Sequence, residues 1–450
     1  MMSAVNKYWG PKPKLIRWIY TSIIRPRITY SAMTWGHSAQ SYTKTRQLKQ
    51  INRLASLMMS PTRKTTPTTA LEIINDLMPL NLYITKISLA AYSRIAPKLD
   101  WRGQSLKNKT QVGHIKHLEI IYEAATQNHI DVDTTYYQKP PLEQNYIINI
   151  NPLLGTKPPK LTQINVYTDG SKTKDGTGAG FVIQIGKDKL MHTESINLPQ
   201  ETSIFHAEIK AIEQAAKFLI NNHQHKQKYI KIFCDSQAAL KALRAPIIYS
   251  LTVLQCHNRL IDLANLTRKL TLTWIKAHVG HPGNELADEY AKIGTIDTSN
   301  WQHINKTKTN ISNLIEDYMY KKWLIAWEKQ PGCRQTKYFY PSPSKIMYKR
   351  TCKLARSQLT LIIQIITGQN KLNYLSHKIN PHISELCRFC EEEDETFIHL
   401  LSECPVFTDL RIEVFKCRAF ISLEEWKPHQ LLKFAQHPQI YAALTSDVEY

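Results

Sequence analysis

Four carboxylates stand out by their surroundings. Asp169 lies in Tyr167-Thr168-Asp169-Gly170-Ser171 and Glu208 in Phe205-His206-Ala207-Glu208. Asp235 lies in Phe233-Cys234-Asp235-Ser236, and Asp288 ends Gly283-Asn284-Glu285-Leu286-Ala287-Asp288. Gathered at one place, four carboxylates repel one another and cannot all ionise comfortably without cations. Hard oxygen ligands suit Mg²⁺ or Mn²⁺. Two such ions, about 4 Å apart, can activate a water and stabilise the leaving oxygen of a phosphodiester. A lone aspartate at a strand end is more often a turn former or helix N-cap, and Asp235 taken alone reads equally well either way. Four carboxylates, each in a suitable element, are harder to explain as caps.

A second set has different chemistry. Cys387-x₂-Cys390-x₈-His399-x₄-Cys404 supplies three thiolates and an imidazole, the donors of a closed tetrahedral Zn²⁺ site with a structural role. The plainer alternative is a buried cysteine pair beside a core histidine. Eight cysteines in 450 residues are too few for a disulfide scaffold, so the cluster points to a metal and a reducing compartment.

The elements that must position the carboxylates can be read from residue alternation. Ile164, Val166 and Thr168 alternate with Asn165 and Tyr167, which predicts a strand ending at Asp169. Phe181–Ile185 and Leu190–Ile196 follow as an antiparallel meander, Tyr229–Cys234 as a fourth strand and Leu270–Ile275 as a fifth. Helices are predicted over 205–219, 238–243, 251–263 and 283–293 from their apolar spacing. The expectation is an α/β domain over residues 161–298 with a mixed five-stranded sheet. Residues just past the carboxyl ends of adjacent strands meet at one sheet edge. Asp169 and Asp235 should therefore stand side by side, with Glu208 and Asp288 reaching in from helices.

Residues 1–130 read as mainly helical, from Leu71, Ile74 and Met78, then Ile84, Ile87, Ala91 and Ile95, then Ile115, Leu118, Tyr122 and Ala125. Residues 131–160 hold Pro140, Pro141, Pro152, Pro158 and Pro159 and read as a linker. Residues 299–450 read as a further helical region carrying the Cys/His segment. Lys plus Arg is 58 against 37 for Asp plus Glu, a net charge of +21 that favours polyanionic partners. The first twelve basic residues, Lys7 to Lys64, precede the first acid, Glu72. No apolar run approaches the ~18 residues of a membrane span, and the first residues lack a secretory signal pattern. The expected location is intracellular, in the nucleus, the cytoplasm or both.

Tyr-Thr-Asp-Gly-Ser-Lys, His-Ala-Glu, Cys-Asp-Ser-Gln-Ala-Ala-Leu and Trp-Ile-Lys-Ala-His-Val-Gly-His-Pro-Gly-Asn-Glu-Leu-Ala-Asp together resemble type 1 ribonuclease H. The resemblance implies that Asp169 bridges two Mg²⁺ or Mn²⁺ ions, that Glu208 and Asp235 hold one and orient the attacking water, and that Asp288 holds the other. It gives His278 a part in the departure of the leaving group or product. It implies hydrolysis of the RNA strand of RNA–DNA hybrids, leaving 5′-phosphate and 3′-hydroxyl ends. His206 departs from the glutamine that retroelement relatives often carry there.

The tail, Glu395 to Pro405, looks like the C-terminal zinc segment of non-LTR retrotransposon polyproteins. Tyr20-Thr21-Ser22-Ile23-Ile24-Arg25-Pro26, Trp35-Gly36 and Met78-Pro79-Leu80 resemble the thumb and connecting helices of a Jockey-like reverse transcriptase. The resemblance implies RNA–DNA hybrid and other nucleic acid as partners, along with other parts of the retroelement machinery. Polymerase chemistry in that family needs an Asp-Asp pair, which this sequence lacks. Two other readings remain open: an inactive remnant that only binds nucleic acid, and a cellular ribonuclease H. The flanks disfavour the second.

Overall fold

Apolar residues alternate through the middle of the chain and pair into one sheet whose register sets the carboxylate positions. The computed structural model describes residues 10–95, 118, 120–126, 132–140, 146–151, 163–186, 189–222, 228–277, 279–418 and 427–445. The chain divides into two units, Thr126–Asn313 and a second made of Met1–Ala125 with Leu314–Tyr450.

The strands of the first unit are β1 (Tyr137–Gln138), β2 (Tyr146–Asn149), β3 (Gln163–Lys172), β4 (Thr177–Ile185), β5 (Lys189–Leu198), β6 (Tyr229–Cys234), β7 (Ile247–Ile248) and β8 (Lys269–Trp274). Six of them form a sheet in the order β2-β8-β6-β3-β4-β5, while β1 and β7 make a separate ribbon. β3, β4 and β5 are antiparallel neighbours, and β2, β8, β6 and β3 run parallel. The mixed α/β class matches the sequence reading, but the sheet has six strands and not five. The extra strand, β2, lies in the stretch expected to be a linker and pairs with β8 from Tyr146↔Leu270 to Asn149↔Thr273. Four residues between prolines give too short a run for alternation to register. The buried phenol of Tyr146 pairs with His257 Nδ1 and anchors this strand.

Four helices cover the sheet: α1 (Ile204–Asn221), α2 (Gln237–Arg244), α3 (Leu251–Leu266) and α4 (Pro282–Gly294). Ser203, Ser236 and Ser250 cap the first three, each accepting a bond from the backbone amide three residues on. Ala179, Phe181 and Ile183 of β4 point into a core shared with Ile209, Ile212 and Ala216 of α1 and Val253, Cys256 and Leu260 of α3. The alternate position, Gly180, faces α4 on the other side. A Cβ there would sit 2.6 Å from the Ala287 carbonyl oxygen, so glycine is what lets the α4 backbone rest directly on the sheet.

The second unit is helical among its described residues, as expected for the flanks. The helix Tyr42–Met59 packs against Thr68–Ile74 and Leu80–Ile95. Met78, expected to continue the helix holding Leu71 and Ile74, lies outside it, because the chain turns at Asp76, whose φ is 49°. Ile115 lies outside the described residues. The first and last parts of the chain belong to this one unit, whereas the sequence reading set them apart as 1–130 and 299–450. The Arg356 guanidinium donates to the carbonyls of Pro11 at 2.9 Å and Met58 at 3.1 Å, and Arg17 stacks over the Tyr348 ring. Among the described residues, no helix is long and apolar enough to cross a membrane.

Candidate active site

Strand register brings the first two carboxylates together. The parallel pairing of β3 with β6 ends at Thr168↔Cys234, so the next residues along the two strands are Asp169 and Asp235. Glu208 arrives from α1, whose second turn presses on β3. A Cβ on Gly170 would lie 2.7 Å from the Glu208 amide nitrogen, so the absence of a side chain at Gly170 sets how close Glu208 comes. Ligand oxygens of Glu208 and Asp235 lie within 4.8 Å of each other. Asp288 comes from α4 and lies near enough to Asp169 to raise its pKa.

The electrostatics follow from this crowding. Asp169 is only 7% exposed. Burial, then the charges of Asp235 and Asp288, push its pKa up to about 7. Burial, then Asp169 and Asp235, hold the Glu208 carboxyl well above the usual carboxylate range. A group of carboxylates that resists ionising when metal-free is suited to divalent cations, whose charge reverses the penalty. All four offer the hard oxygen donors that Mg²⁺ and Mn²⁺ prefer. His278, singled out from the sequence, lies outside the described residues.

Residues 161–296 match the family model for RNase H. Two solved structures are similar. One is RNase H1 from the halophilic archaeon Halobacterium salinarum NRC-1, at 18% identity, with 29% of this chain and 96% of that one covered and a TM-score of 0.24. The other is the N-terminal RNase H domain of a Mycobacterium tuberculosis protein fused to maltose-binding protein, at 14% identity, 30% and 98% coverage and a TM-score of 0.25. No curated protein matches the chain.

Several groups that support these carboxylates were not singled out from the sequence. Trp274 Nε1 donates to the Asp235 backbone oxygen at 2.9 Å, and Asn284 Nδ2 lies 3.4 Å from Asp235 Oδ2. Lys292, one turn beyond Asp288, donates to Asp288 Oδ2 at 2.7 Å. The buried Cys234 thiol points at Glu208 Oε2 over 3.7 Å. Trp274 and Asn284 were already inside the recognised motif; Lys292 carried only the i,i+4 spacing of a surface ion pair. His206 is buried and bonded inward to Ser203 and Asp133.

In the helical unit the cysteine and histidine side chains converge as their spacing suggested. The ligand atoms of Cys387, Cys390, His399 and Cys404 all lie within 4.8 Å of one another. Cys390 Sγ is 3.2 Å from His399 Nε2, while His399 Nδ1 faces Glu393 at 3.4 Å. A carboxylate behind a ligating imidazole is a common orienting partner. Burial, with Cys387 and Cys390 adding to it, pushes the Cys404 thiol up to about 12. The donor set fits a cation that takes thiolates.

Asp169 also generates a pH prediction. A carboxyl whose folded pKa is raised is favourable when protonated, so its contribution is lost as pH rises from the ordinary aspartate range through about 7. In the metal-free protein, Asp169→Asn should raise the melting temperature, by more at pH 8 than at pH 5. Thermal denaturation in chelator at both pH values reads this directly; an equal gain at both would contradict the assigned electrostatics.

Proposed function

We propose that residues 161–298 are a metal-dependent endoribonuclease that cuts the RNA strand of RNA–DNA hybrids. The observation that carries this reading is the meeting of Asp169, Glu208, Asp235 and Asp288 at one sheet edge, inside the segment that matches RNase H. Asp169, whose carboxyl faces both Asp235 and Asp288, would be shared between two Mg²⁺ or Mn²⁺ ions. Glu208 and Asp235 would hold one ion and Asp288 the other. Bound in pairs, such ions supply a water acidic enough to attack phosphorus and offset charge on the leaving oxygen.

The chain's own residues prepare that site. The Trp274 bond fixes the backbone at Asp235, and Asn284 restrains its carboxylate. Lys292 offsets part of the charge on Asp288. His278 would assist the leaving group or product. In-line hydrolysis gives 5′-phosphate and 3′-hydroxyl ends, and discrimination depends on 2′-hydroxyls on one strand only.

We read the whole chain as the C-terminal part of a Jockey-like retrotransposon polyprotein acting inside the cell. In this reading Cys387, Cys390, His399 and Cys404 hold a structural Zn²⁺. The helical unit contributes +16 of the chain's +21, from 37 Lys and Arg against 21 Asp and Glu. Helix Tyr42–Met59 exposes Lys44, Arg46 and Lys49, which suits phosphate contacts. This charge is also what supports the second reading, a binding remnant without catalysis.

With Mg²⁺, the protein should cut the RNA of a labelled hybrid and leave double-stranded RNA and DNA of the same sequence intact. Equal cutting of all three, or of none, would contradict the proposal. The purified chain should also contain one zinc per molecule by elemental analysis, and Cys387→Ser should lose it and melt earlier. A zinc-free wild type with the same melting temperature would contradict the zinc assignment.

A further inference from the structure

Asp133 lies outside the segment that matches RNase H, yet its side chain is buried inside the same unit. Its backbone amide donates to the Lys306 carbonyl at 2.8 Å. Its Oδ1 accepts from the Thr252 amide at 2.7 Å and the Thr252 hydroxyl at 2.8 Å. Its Oδ2 accepts from the Ser250 hydroxyl at 2.7 Å and lies 2.9 Å from His206 Nε2. A carboxylate can only accept here, so the imidazole proton belongs on Nε2. Nδ1 is then left to accept from the Ser203 hydroxyl, 2.7 Å away. Burial raises the Asp133 pKa, but the bonds from His206, Thr252 and Ser250 outweigh it and hold the carboxyl below its ordinary value.

One buried carboxylate thus joins the first turns of two helices. Ser250 and Thr252 open α3, and Ser203 and His206 open α1. Glu208 is two residues beyond His206, at the start of the next turn, pressed on β3 at Gly170. Asp133 holds the start of α3 through Ser250 and Thr252 without any help from His206. The His206 bond adds nothing to α3; what it fixes is where α1 starts, and with it the Glu208 carboxylate.

We propose that Asp133, acting through His206, is a positioning residue that sets Glu208 for cation binding. The inference rests on the nuclease reading above. It also gives His206, the departure from the family pattern, a role that glutamine would fill differently.

The test uses the full chain. His206→Ala cuts the link to α1 and leaves the Asp133 bonds to α3 in place, so the fold should survive by circular dichroism. Its kcat should fall about 10- to 100-fold and its half-saturating Mg²⁺ rise about tenfold, with KM for the hybrid changed less than about twofold. Asp133→Ala should show the same pattern. Asp133→Asn should recover part of it, because an amide can still bond the imidazole in its other tautomer. Mn²⁺ titration followed by electron paramagnetic resonance reads cation affinity without turnover. A folded His206→Ala with unchanged Mn²⁺ affinity and Mg²⁺ requirement overturns the proposal, even if it melts earlier. If His206→Ala does not fold, Asp133→Asn carries the same measurement: weakened affinity supports the link, and wild-type affinity overturns it. A wild type that binds Mn²⁺ and leaves the hybrid intact overturns the nuclease reading instead.

Discussion

Mutual repulsion among Asp169, Glu208, Asp235 and Asp288 is the constraint around which the sheet unit is organised. Buried, and held near other carboxylates, Asp169 resists ionisation up to about pH 7 and Glu208 well above the usual range. Packing elsewhere has to keep them in place. The parallel β3–β6 ladder fixes two of them, α1 lying on Gly170 fixes the third, and α4 lying on Gly180 brings the fourth. At Gly170 and Gly180 the approach is close enough that a single methyl group would push the helix away.

Much of this geometry was legible in the sequence because strand alternation has a period of two. Once Ile164, Val166 and Thr168 are placed inward, Asp169 falls where β3 parts from β6, although the strand itself does not end there as expected but runs on beside β4 to Lys172. The helices were legible from apolar spacing, and the Cys/His set from its gaps. Other features depend on partners far away in sequence. Strand β2 is a four-residue run that acquires its meaning only beside β8. Asp133 looked like one acid in a proline-rich stretch, and its four hydrogen bonds come from residues 73 to 119 positions away. The break after Ile74 was hidden because Asp76 adopts a left-handed conformation that spacing does not reveal.

The division into two units separates two kinds of interaction. The sheet unit holds the carboxylates and little net charge; the helical unit holds most of the positive charge and the Cys/His cluster. Diffuse positive charge acts on any phosphate backbone, whereas a carboxylate cluster acts on one bond.

The most direct test of the account compares wild type with Asp235→Asn on one labelled RNA–DNA hybrid in Mg²⁺, measuring binding and cleavage together. The account predicts that both bind the hybrid and only the wild type cuts it. A folded wild type that binds but does not cut, in Mg²⁺ or Mn²⁺, or an Asp235→Asn variant that cuts as fast, would contradict it.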